Sequence, residues 1–149
     1  MGQVEEEQAL MLVLLDSNIL ISAMISIHGN PARIVDHWRE RRFHLLTCQE
    51  QLDEIRTTCR HQRFRNLLQP HLVGKMLNSL YAATVWPTPI PRKHRAADPT
   101  DSYLLDLIDA AQPDYAVTGD KRAGLLQLQS FDRTTILTAA RFCEIVLQT

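Results

Sequence analysis

Four acidic residues in this chain, Asp16, Glu54, Asp101 and Asp120, have the type and placement to form one all-oxygen cation site. Asp16 ends the apolar run Leu12–Leu15, and Asp120 lies two residues beyond the apolar stretch "YAVT" at 115–118. If both runs are parallel strands, both acids leave the sheet at its carboxyl edge, where open α/β sheets build their sites. Asp101 stands three, four and seven residues before Leu104, Leu105 and Ile108, so it heads the buried stripe of a helix and points toward the sheet, with Asp106 on the opposite side. Glu54 has no local cation: Thr57 and Thr58 follow it at i+3 and i+4, and Glu50 at i−4 repels it, whereas its neighbour Asp53 has Arg56 three residues on. Carboxylates without histidine or cysteine suit a hard ion such as Mg²⁺ or Mn²⁺. Crowded carboxylates need such cations to remain ionised together. One or two ions in that position can hold a phosphodiester and lower the pKa of an attacking water. Ser17, Asn18 and Thr118 can orient carboxylates or water, and Lys121 can meet a phosphate oxygen.

Each signal also has a plainer structural reading. Asp98-Pro99-x-Asp101 reads as an N-cap, a proline at the first helical position and an acid favoured by the helix dipole. Asp98 and Asp101 therefore both stand as candidates for the third acid. A solvated surface is the common fate of a lone glutamate such as Glu54 or a lone lysine such as Lys121.

These residues need elements to hold them. Leu12–Leu15 is a continuous apolar run, as expected of a strand buried on both faces. A helix is predicted over 18–27, another from Pro31 with Ile34, Val35 and Trp38 at helical spacing, and a strand at 43–47. Residues 49–60 form a helix on the stripe Cys48, Leu52, Ile55 and Cys59. A further helix follows Pro70 on Leu72, Val73, Met76, Leu77, Leu80 and Tyr81. Residues 86–99 hold four prolines and read as a loop of functional length. Helix 101–111, strands 115–118 and 135–137, and helix 139–147 complete the chain. Strands alternate with helices, so the fold class is α/β with a parallel sheet. Residues 1–9 read as a flexible extension and residues 10–149 as a single domain.

Composition sets the outer limits. The 149 residues are 45% apolar and 22% charged, ordinary for a globular protein. The apolar stretch at 9–15 is far short of the roughly 20 residues that span a bilayer, and Glu5–Glu7 sit where a secretory signal needs positive charge. Three cysteines without C-x-x-C spacing fit a reducing, cytoplasmic setting. The net charge of −1 becomes +2 once the three N-terminal glutamates are set aside. Basic clusters at 56–65 ("RTTCRHQRFR") and 91–95 ("PRKHR") can contact phosphates or simply form solvated faces.

The segments "LLDSNILISAM", "QEQLDEI", "DPTDSYLLDLIDAA", "PDYAVTGDK" and "ILTAARFCEIV", in this order, resemble the PIN-domain family over residues 12–147. They look most like the branch regarded as toxins of bacterial toxin–antitoxin pairs. The resemblance implies a three-layer α/β/α fold with a parallel sheet of about five strands. It implies a Mg²⁺- or Mn²⁺-dependent ribonuclease whose acidic quartet is Asp16, Glu54, Asp101 and Asp120, with Thr118 and Asn18 as associated polar positions and Asp98 supporting Asp101. It also implies a homodimer or higher homo-oligomer, restrained by a small antitoxin protein, with RNA as substrate and no membrane attachment. The alternatives are a housekeeping RNA-processing nuclease, or a non-catalytic RNA-binding or assembly module on the same scaffold. All four acid positions are filled, which argues against the latter. Phosphatases of the haloacid dehalogenase type require D-x-D-x-T, which "DSNIL" does not supply.

Overall fold

A computed structural model describes residues 10–86, 90–93, 99–119 and 125–149, with Arg63, 84–85, 99–101, 125 and 127 described by their backbone alone. The expected N-terminal extension 1–9 and most of the proline-rich loop fall outside the described residues.

The sheet is built from β1 (Leu12–Leu15), β2 (His44–Thr47), β3 (Thr84–Val85), β4 (Tyr115–Val117), β5 (Ser130–Phe131) and β6 (Thr134–Leu137), in the order β3-β2-β1-β4-β6-β5. Five strands run parallel, and only β5 is antiparallel, joined to β6 as a short hairpin. β1 is central: Leu14 pairs with Leu46 of β2 and with Ala116 of β4.

The alternation of β1 explains the layers. Val13 and Leu15 face a core shared with Leu45, Val117, Ile34, Phe43, Leu52, Ile55, Met76, Leu80 and Phe142. Leu14 faces the opposite way, into a second core with Leu46, Leu104, Leu105, Leu107, Ile108, Ala116 and Ile136. A strand buried on both sides has no polar face to show, so its run is apolar throughout. The first core is covered by α1 (Ser17–Ile25), α2 (Asn30–Arg39), α3 (Gln49–Arg60), α5 (Pro70–Leu80) and the C-terminal helix, and the second by α6 (Pro99–Ala111). The result is the expected three-layer α/β/α arrangement.

Several elements depart from the sequence reading. Short helices α4 (Gln62–Arg65) and α7 (Leu125–Leu128) and the two-residue strands β3 and β5 were not expected, being too short to carry a period. The final helix is α8 (Ala139–Arg141) running into a π-helical turn, Phe142–Leu147. There Phe142 meets Phe43 and Tyr115 edge-on at centroid distances of 5.9 and 5.7 Å. Tyr81 leaves the buried stripe of α5 at its C-cap and is exposed. Asp106 lies away from the Leu104–Ile108 stripe yet is buried, because segment 90–93 covers it and the Lys93 backbone N–H donates to its carboxylate at 3.0 Å. Among the described residues no helix is long and apolar enough to cross a membrane.

Candidate active site

The sheet order reverses at β1: the chain moves outward to β2 and β3, then returns to the other side of β1 as β4. The carboxyl ends of β1 and β4 therefore bound a topological switch point, where a crevice opens between the outgoing connections. Asp16 follows the last residue of β1 and Thr118 the last residue of β4.

Asp16 belongs to both the sheet and the next helix. Its backbone N–H donates to the Val117 carbonyl at 2.9 Å, extending the β1–β4 ladder by one step. Its carbonyl accepts from Ile19 at 2.9 Å and so opens α1. The side chain is the N-cap: Oδ1 accepts from the Asn18 backbone N–H at 3.3 Å. An acid here meets the positive end of the helix dipole and satisfies an N–H that the helix leaves unpaired. Its other oxygen, Oδ2, accepts from the Thr118 hydroxyl at 3.0 Å. Thr118 is itself fixed, since its backbone N–H donates to Leu137 of β6 at 3.0 Å. Both Asp16 and Thr118 are buried, at 6% and 2% exposure. A small apolar pocket lined by Leu14, Leu104, Ile108, Ala116 and Ile136 lies beneath them.

Helix α3 reaches the same edge through a residue that the sequence reading missed. Gln51 is fully buried, and its amide donates to the Leu15 carbonyl at 2.6 Å while accepting from the Thr47 hydroxyl at 2.6 Å. The amide thus ties the ends of β1 and β2 to α3. The clue was present in the pattern: Gln51 lies on the apolar side of α3 among Cys48, Leu52 and Ile55, and a polar residue there needs partners.

Glu54, one turn beyond Gln51, is half-buried and finds its partner on α6. The Tyr103 hydroxyl donates to Glu54 Oε1 at 2.9 Å and lies 3.3 Å from Ser17 Oγ. A phenol has one proton to give, so with Glu54 as acceptor the serine hydroxyl must donate to Tyr103. Burial, and after it the charge of Glu54, pushes the Tyr103 phenol well above its ordinary 10.0. It stays a donor throughout the neutral range.

The remaining expected site residues are placed less fully. Asp101 lies in the first turn of α6, two residues before Tyr103, with its side chain outside the described set. Asp98, Asp120 and Lys121 fall outside the described residues. Asn18 contributes its backbone N–H, while its side chain is exposed. Asp53 makes the expected surface pair with Arg56 at 3.7 Å. Among the described residues no three acidic, histidine or cysteine side chains come together as a metal-holding group. What the described residues do supply is hard: a buried carboxylate held by a hydroxyl and a backbone amide, a second carboxylate held by a phenol, and a serine hydroxyl beside that phenol. Such oxygen donors fit a small divalent cation better than a soft metal.

A family model described as PIN domain matches residues 12–122, from the first residue of β1 to just past Thr118. No curated protein and no solved structure matches the chain.

Proposed function

The chain belongs to the PIN-domain family, and from that premise we propose that it is a Mg²⁺- or Mn²⁺-dependent endoribonuclease, acting as the toxin of a type II toxin–antitoxin pair. PIN domains are generally nucleases and typically use divalent metals. The observation that carries the reading is the buried Asp16 carboxylate, fixed at the switch point by Thr118 Oγ1 and the Asn18 N–H. The two donors aim the carboxylate without adding a positive charge beside it, which leaves its oxygens suited to a cation.

In this reading Asp16 and Glu54, with Asp101 and Asp120, hold one or two ions. A bound ion supplies Lewis acidity toward the phosphodiester and a water of lowered pKa. The chain's own groups do the positioning. Thr118 and the Asn18 N–H fix the rotamer of Asp16, Gln51 sets α3 against the end of β1, and Asp98 and Lys121 support the cleft. A small antitoxin protein and a second copy of the chain are the proposed partners.

The test is cleavage of end-labelled RNA with Mn²⁺, with single-stranded DNA in parallel and Asp16→Asn as control. RNA is cut by the wild type and spared by the variant if the reading holds. Equal degradation by both assigns the activity to a contaminant and overturns it, and cutting of DNA alone moves the protein to another substrate class. Expression of the wild type, but not of Asp16→Asn, should arrest growth; growth with active wild-type enzyme would refute the toxin role.

A further inference from the structure

We propose that Tyr103 is a positioning residue for Glu54, holding that carboxylate ready for the cation. The inference rests on the nuclease reading of the site and adds to it a residue outside the acidic quartet.

The argument begins with what Glu54 lacks. It projects from α3 as a long, flexible, half-buried side chain, with Glu50 and Thr58 as its neighbours along the helix face. The nearby Asp53 engages Gln49 at 2.9 Å and Arg56 at 3.7 Å, so the local amide and guanidinium are directed elsewhere. A free glutamate of this kind samples many rotamers, and ordering it on ion binding costs affinity. The contact from Tyr103 Oη at 2.9 Å removes that freedom in advance.

The chemistry of the donor matters as much as its position. A lysine or arginine would orient Glu54 equally well but would neutralise it and repel a divalent ion. A phenol orients the carboxylate and leaves its negative charge intact.

The phenol is itself well anchored. Its ring packs against the core that contains Leu14, Leu46, Cys48 and Leu104, and its oxygen is met by Ser17 Oγ at 3.3 Å. Ser17 is 3% exposed and directly follows Asp16. The order of donation, Ser17 to Tyr103 to Glu54, links the neighbour of one proposed metal-holding acid to another. It also joins three separate elements, the start of α1, the first turns of α6 and the middle of α3.

The test is Tyr103→Phe, which keeps the ring and deletes only the hydroxyl. Mn²⁺ affinity, measured by titration without RNA, is expected to weaken about tenfold, the lower end of the range for an outer hydrogen-bond partner of a metal ligand. For RNA cleavage, kcat falls by a similar factor at fixed subsaturating Mn²⁺ while KM for RNA holds. In a Glu54→Gln background the Tyr103→Phe change should have no further effect on Mn²⁺ affinity, because its action runs through that carboxylate. Ser17→Ala, which leaves Tyr103 in place, should give a smaller loss in the same direction. Unchanged Mn²⁺ affinity in Tyr103→Phe, with or without a drop in melting temperature, would reduce Tyr103 to a packing residue and overturn the inference. An equal loss with and without Glu54 would overturn it as well. Failure of the nuclease reading looks different: Asp16→Asn would then bind Mn²⁺ and degrade RNA like the wild type.

Discussion

The Gln51 side chain donates to the Leu15 carbonyl at 2.6 Å, one residue before Asp16 and one helical turn before Glu54. A single buried amide therefore sets the register between the strand that delivers the first acid and the helix that delivers the second.

Replacing Gln51 by Leu preserves volume but strands the Leu15 carbonyl and the Thr47 hydroxyl in a dry interior. Each orphaned group costs about 1–3 kcal/mol, so the variant should lose roughly 2–6 kcal/mol. Urea unfolding would show a lower midpoint at unchanged slope. A midpoint equal to wild type would mean that the two groups find other partners.

Asp16→Asn should separate folding from chemistry. Asparagine caps a helix as well as aspartate does, so its melting temperature should stay near the wild-type value while cleavage falls by at least 100-fold. Asp16→Ala loses the cap too and should cost about 1 kcal/mol in addition. Calorimetry beside the RNA assay distinguishes the two effects, and an active Asp16→Asn enzyme would remove this acid from the mechanism.

Thr118→Val deletes the hydroxyl that holds Asp16 Oδ2 and keeps the shape of the side chain. The expected outcome is a 10- to 100-fold loss of Mn²⁺ affinity or turnover, restored by Thr118→Ser. Wild-type affinity and turnover in Thr118→Val would show that the hydroxyl does not hold Asp16 for the cation, and a serine that fails to restore what valine removes would show that the methyl is needed as well to place the hydroxyl.

Alkaline stability should fall in a defined window. Burial pushes the Cys48 thiol from 9.0 up to about 12, and moves Cys59 and Cys143 in the same direction. The folded chain keeps protons that the unfolded chain releases above pH 9, so stability is intact below pH 9 and declines as pH rises toward 12. Cys48 alone contributes a slope of about 1.4 kcal/mol per pH unit there. Urea midpoints at pH 8, 9.5 and 10.5 measure it, and Cys48→Ala should flatten the decline.

The strand-helix alternation was legible because each long element carries a strong period or a continuous apolar run. The stripe Cys48, Leu52, Ile55 and Cys59 places helix α3 at Gln49–Arg60, the bounds the structure gives it. Asp16 and Thr118 were legible as strand-end residues, since the run before each is apolar and stops on it. Gln51 and Tyr103 were not. Their roles depend on partners 36 and 49 residues away, Leu15 and Glu54, and no local spacing encodes such a meeting. The burial of Asp106 was hidden for the same reason: what covers it is an irregular segment whose path has no period.

The two margins of the sheet, Thr84–Val85 and Ser130–Phe131, are only two residues long. A strand that short offers an incoming chain too few main-chain groups to extend the ladder, and natural sheets use this device to block edge-to-edge growth. The brevity of the rims thereby works against a fibrillar route through lateral sheet continuation.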